Sequence, residues 1–154
     1  MQTLRVVLAG LLAAVLSGLA LNSAALASDP EYVIEYREAV MEAQGGHLSA
    51  ASRILRGQVP FQQALEAHAE ALKALTEELD YIFPEGSDFG DTEAKLAIWD
   101  EPEAFAEAVA EAKQATERFH AAAAGDASTA ELMQAFRAVG QSCKGCHDNF
   151  RMEK

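Results

Sequence analysis

Periodicity is the strongest constraint on the fold. From residue 30 onward apolar residues recur at steps of three and four, with no period-two alternation and no Val/Ile/Thr-rich runs. Four stretches carry the pattern. The first is expected over Pro30–Arg56, with Asp29 as cap, Pro30 in the first turn and Gly57 at the end. Its inward stripe reads Val33, Tyr36, Val40, Met41, Gln44, Leu48, Ala51 and Leu55. The second is expected over Phe61–Ile82 and is stopped by Pro84; its stripe is Phe61, Leu65, His68, Leu72, Leu75, Leu79 and Ile82. A loop runs from Pro84 to Ala97, pinned to the body by Phe89, Ile98 and Trp99. The third helix is expected from Asp100, with Glu103 completing a capping box, and carries Phe105, Val109, Ala112, Thr116 and Phe119 inward. The fourth starts near Ser128, with Glu131 three residues on, and its stripe ends in Val139, Cys143, Cys146, His147 and Phe150. Four such helices with mostly short links imply an all-α, antiparallel up-down-up-down four-helix bundle.

Residues 1–27 stand apart. Arg5 is the only charge before Asp29, Val6 to Leu21 is apolar, and Ala25-Leu26-Ala27 is a small-residue cleavage pattern. This is the order of a secretory signal peptide, and the apolar core of about 16 residues falls short of the ~20 that span a bilayer. Cleavage after Ala27 leaves residues 28–154 as one domain, exported and soluble, periplasmic in a Gram-negative cell. Acids outnumber bases 24 to 12 for a net charge of −12, which argues against nucleic acid and against an anionic membrane surface. Such a surface favours basic partner proteins.

Chemistry is carried by Cys143-Lys144-Gly145-Cys146-His147, which reads C-x-x-C-H, the attachment signature of a c-type haem. Two thiols three residues apart reach two vinyl groups, and the adjacent histidine lies under the iron as an axial ligand. Positions 143, 146 and 147 share one helix face, the face that continues the apolar stripe, so the haem belongs in the bundle core. Other uses of the motif fit poorly. A redox C-x-x-C pair wants a helix start in a βαβ setting, zinc wants four ligands, and a disulfide within one turn is strained. His47, His68 and His120 sit at no ligand spacing to the motif and are expected to be structural or exposed. Aromatics are scarce (7%) and alanines plentiful, so the core leaves room for a large group. Gly45-Gly46 costs the first helix about 1 kcal/mol per glycine, and we expect it to let another group approach the backbone.

Antiparallel packing sets the start of the first helix beside the end of the fourth. Met41 and His147 then differ in level by roughly 10 Å and lean toward each other, because side chains tilt toward their own helix N-terminus. Met41 is the candidate distal residue; core filling is its other reading. Tyr36, Trp99 and Phe150 either line the pocket or belong to the core.

The C-terminal C-K-G-C-H-D-N-F-R, the early Y-R-E-A-V-M, the I-F-P-E-G loop and the I-W before the third helix resemble the cytochrome c-prime family, the class II c-type cytochromes. The resemblance runs from about Glu31 to Arg151. It implies a left-handed four-helix bundle, often a homodimer, with one covalent haem per chain and His147 proximal. It places Met41 on the distal side, and gives Arg37 and Arg151 the task of neutralising propionates or shielding the proximal histidine. Two functions follow from the family. The first expectation is a one-electron carrier, not an enzyme, with His147 and Met41 both on the iron. The alternative is a five-coordinate iron that binds nitric oxide or carbon monoxide.

Overall fold

The computed structural model describes residues 29–153. The expected signal peptide, residues 1–27, lies outside the described residues. Among the described residues no helix is long and apolar enough to cross a membrane.

Helix α1 spans Pro30–Leu55. The Asp29 carboxylate accepts from the Glu31 amide at 3.1 Å, and Gly57, at φ +66°, closes the far end while the Gln58 amide reaches back to Arg53 O. Its buried side is Ile34, Arg37, Val40, Gln44, Ala51 and Ile54. The stripe is therefore turned by one position in the first two turns from the expected one. Ile34 and Arg37 go in, and Tyr36 stays half exposed. An arginine holds an inward position there because nearby oxygens satisfy its guanidinium.

The second helical stretch is shorter than its apolar pattern. After the reversal at 57–60 the Ala64 amide reaches Phe61 O, a three-residue span, so Gln62–Ala64 forms a tighter turn and α2 is confined to Leu65–Glu77. Phe61 is exposed rather than inward. A second tight turn, Glu78–Asp80, still carries Leu79 into the core.

The one-turn helix α3, Ala97–Asp100, precedes α4, Pro102–Ala124. The capping box expected at Asp100 and Glu103 does not form. Pro102 takes the first turn of α4, which puts Glu101 at the cap without a side-chain bond and leaves Asp100 in the preceding turn. Helix α5, Thr129–Phe150, has the expected box: the Ser128 hydroxyl accepts from the Glu131 amide while the Glu131 carboxylate accepts from the Ser128 amide.

The four long helices, α1, α2, α4 and α5, pack as an antiparallel bundle. Helix α4 lies between α2 and α5, and α1 lies against α2 and more lightly on α5. One apolar core centres on Ala51, Leu72, Phe119 and Val139; alanines at 51 and 69 with no exposed surface let the helices approach closely. A second centres on Val40, Leu79, Ile82 and Val109, with Met41, Phe83 and Phe105 against it.

The long loop is tied to the C-terminus. Ala94 and Arg151 form an antiparallel bridge, flanked by Lys95 N–H to Phe150 O at 2.9 Å and Met152 N–H to Glu93 O at 2.8 Å. Of the expected pins, Ile98 is buried, Trp99 is half-buried with its indole N–H donating to Pro84 O at 3.3 Å, and Phe89 is exposed.

Candidate functional site

Three walls enclose a cavity of about 430 Å³. Helix α5 supplies Cys146, His147 and Phe150, with Arg151 just beyond its end. Helix α1 supplies Arg37, Glu38, Met41, Glu42 and Gly45. The segment from Phe83 to Ile98, with Phe105 of α4, makes the third wall. Six candidates read from the sequence thus meet at one place: Arg37, Met41, Cys146, His147, Phe150 and Arg151. Cys143, one turn earlier on α5, packs against the first apolar core. Tyr36 points elsewhere, its hydroxyl donating to the Glu78 carboxylate, and Trp99 sits behind Phe83 with ring centroids 6.4 Å apart.

Burial pushes the Cys143 and Cys146 thiols up in pKa, Cys146 to about 11 with its neighbour Cys143 adding to the effect. Burial, and then the Arg151 charge, lower the pKa of His147 against the opposing pull of Asp148 and Glu93. The shift favours the neutral imidazole, the form in which histidine binds a metal.

Two arginines bracket the cavity differently. Arg151 Nε donates to the Glu93 carboxylate at 2.7 Å. Arg37 is buried, and every oxygen it donates to is uncharged: Ile82 O, Ser87 Oγ, Ser87 O and Thr92 Oγ1. Its guanidinium also lies 4.8 Å from the centroid of the Phe83 ring. Burial lowers its pKa, and Glu38 is the carboxylate acting against that. Four of its five N–H groups are spent, one on Ile82 and three on the loop, and only Nε–H is left for a cavity anion.

The sequence did not point to Phe83, Thr92, Glu93 or Phe105 as wall residues. Phe83, Phe105 and Phe150 stack edge to face at about 5 Å spacings and make the apolar flank. The signal for Phe83 was the I-F-P-E-G segment itself. Thr92 and Glu93 carried none, because they reach the site through tertiary contacts: Thr92 through the Arg37 guanidinium, Glu93 through the Arg151 side chain and the bridge beside it.

The cavity's residues suit a flat, largely apolar group with anionic edges. The two thiols and the imidazole lie on successive turns of one helix. Gly45 lines the α1 wall, and a Cβ built on it would meet nothing within 4 Å. A buried cation without a hydrogen-bonded carboxylate stands at the rim. A helical bundle with C-x-x-C-H at the end of its last helix, opening on such a cavity, defines a bundle-type c-type cytochrome.

The profile of the family described as Cytochrome C' matches residues 32–151. Cytochrome c' of Pararhodospirillum photometricum is 42% identical over 126 residues, covering 80% of this chain and 99% of the relative. Among solved structures, cytochrome c prime from Shewanella frigidimarina superposes with a TM-score of 0.76 at 30% identity, covering 82% of this chain and 98% of the other. The nitric oxide complex of a mutant of cytochrome c prime from Alcaligenes xylosoxidans gives 0.75 at 30% identity, with the same two coverages. The chain belongs to the cytochrome c' family, haem proteins of electron transfer and gas binding, and its cofactor is a covalently attached c-type haem.

Proposed function

We propose that this chain is a periplasmic haem protein that takes up a diatomic gas, nitric oxide or carbon monoxide, on the side of the iron faced by Met41. The observation that carries this reading is the pairing of Met41 with Gly45 on the α1 wall, opposite the His147 helix. Gly45, one turn after the methionine, lines the same cavity, and a Cβ built on it would meet nothing within 4 Å. The nitric oxide complex of the Alcaligenes relative supports the same reading. When bound, haem supplies a one-electron couple and an iron with room for a small ligand.

The chain's own residues do the rest. Cys143 and Cys146 would hold the group through two thioethers, and His147 would present its neutral nitrogen from below. Arg37 and Arg151 would lend positive charge to the anionic edge, Arg37 through its remaining Nε–H. Phe83, Phe105 and Phe150 exclude water from the flank. Met41, unbranched and flexible, would cover the distal side and give way to a ligand of two atoms.

The second reading is the His/Met-ligated electron carrier, favoured by Met41 lining the same cavity as His147. The absorption spectrum of the purified protein separates the two. High-spin bands with ready carbon monoxide uptake support the first; low-spin bands with slow uptake support the carrier. For either reading we propose basic redox partners, matched to the net charge of −12, and a homodimer.

A further inference from the structure

His47 of α1 and His68 of α2, which had no partner in the sequence, face each other. Their Nδ1 atoms are 2.9 Å apart, their ring centroids 5.2 Å apart and their planes inclined at 59°. The centroid spacing is the nitrogen contact plus one ring radius at each end, so each nitrogen aims along the line of centres at the other. Such a contact holds one proton: one ring donates Nδ1–H and the other accepts with a lone pair. Both rings are half-buried, and neither lines the haem cavity. Among the described residues no third His, Cys, Asp or Glu completes a cluster of three with them.

Two imidazole nitrogens converging from two helices are also a chelate. Metal–imidazole bonds are about 2.0–2.1 Å, so two nitrogens at a right angle on one ion stand about 2.9 Å apart. A tetrahedral ion would need them wider, at about 3.4 Å. The helices thus already hold the two nitrogens at the spacing of neighbouring ligands on a square or octahedral ion. Loading requires both side chains to adjust their torsions, so that the two lone pairs leave the line between the nitrogens and meet at a point beside it.

We propose that His47 and His68 form a second metal site on the α1–α2 seam, a two-imidazole chelate for a tetragonal divalent cation of the copper(II) type, with nickel(II) next in affinity. Water fills the remaining positions, which half-buried side chains leave accessible. Binding to the neutral pair is balanced in protons. The Nδ1 proton passes to water, the outer Nε2 of the same ring takes one up, and the ion gains two neutral nitrogen ligands with no oxidation or reduction. The site does not depend on what the haem iron binds.

The test is equilibrium dialysis of the haem-bearing protein against copper(II), then nickel(II), with metal counted per chain. We expect one ion per chain, affinity lowered at least about tenfold by His47→Gln and by His68→Gln, and His120→Gln without effect. The haem absorption bands should not move on loading. Should either variant fold poorly, wild-type protein is treated with diethyl pyrocarbonate. Copper should then shield residues 47 and 68 from modification and leave residue 120 reactive. Undiminished binding in the double variant, one ion per two chains, or no shielding overturns the site and leaves a histidine–histidine hydrogen bond.

Discussion

Arg37 and Ser87 are joined twice: Nη1 donates to the serine Oγ and Nη2 to its carbonyl oxygen, each at 3.1 Å. Thr92 Oγ1 accepts from the same guanidinium at 2.7 Å, and the Ser87 hydroxyl passes its own proton to Pro84 O at 2.8 Å. One buried cation therefore organises the loop that walls the cavity. Arg37→Gln should lower the unfolding free energy by about 2 kcal/mol, because several buried oxygens lose a charged donor. Thr92→Ala should cost about 1 kcal/mol. Denaturant unfolding of the haem-bearing protein checks both; a glutamine variant as stable as wild type would mean the loop is held by something else.

Gly45 and Gly46 are neighbours in α1, and neither would crowd a Cβ in the polypeptide alone. Only Gly45 lines the cavity. Gly46→Ala should raise stability by about 1 kcal/mol through helix propensity, without touching the spectrum. Gly45→Ala should gain less in the haem-bearing protein and should slow carbon monoxide binding. Equal gains and equal rates for the two variants would show that Gly45 gives the haem no clearance.

Met41→Ala should leave the spin state as it is in wild type and speed carbon monoxide binding, the outcome expected of a methionine that only covers the iron. Stopped-flow absorption measures both quantities. Conversion from a low-spin to a high-spin spectrum in this variant would make Met41 an iron ligand instead.

Cys143→Ser and Cys146→Ser should each remove one thioether, and the double variant should release all of its haem into acid acetone. Wild-type protein should keep its pigment in the precipitate. Haem that stays with the double variant would place the covalent link elsewhere.

The α5 capping box gives a pH dependence with a definite sign. The Ser128 hydroxyl, and then its amide, lower the Glu131 pKa, so the folded state favours the carboxylate. Its contribution is complete above the ordinary carboxylate range and is lost as pH falls through the lowered folded value. Glu131→Gln should therefore be less stable than wild type at neutral pH, with the difference shrinking on acidification. Thermal unfolding across that range would reveal a flat difference if the box contributed nothing.

The C-x-x-C-H turn on the last helix was legible because its three chemistry-bearing residues are local and their spacing is itself the message. The four long helices were legible from their stripes, and Ser128 with Glu131 from its spacing. The phase of the α1 stripe was not. Val33 and Ile34 are equally apolar, and only the oxygens of Ser87 and Thr92, fifty residues on, decide that Arg37 turns inward and Tyr36 outward. The ends of α2 escaped for a related reason. Apolar spacing continues through Gln62–Ala64 and Glu78–Asp80, where the backbone has already tightened. The His47–His68 contact joins two helices in a register that no single-helix pattern encodes.

The bridge between Ala94 and Arg151 makes the loop and the thiol-carrying helix one mechanical unit. Residues 93–95 are pinned to residues 150–152, only four to six positions beyond Cys146. A pull on the loop is thus passed straight to the end of α5 beside His147, so these two sides of the pocket loosen together.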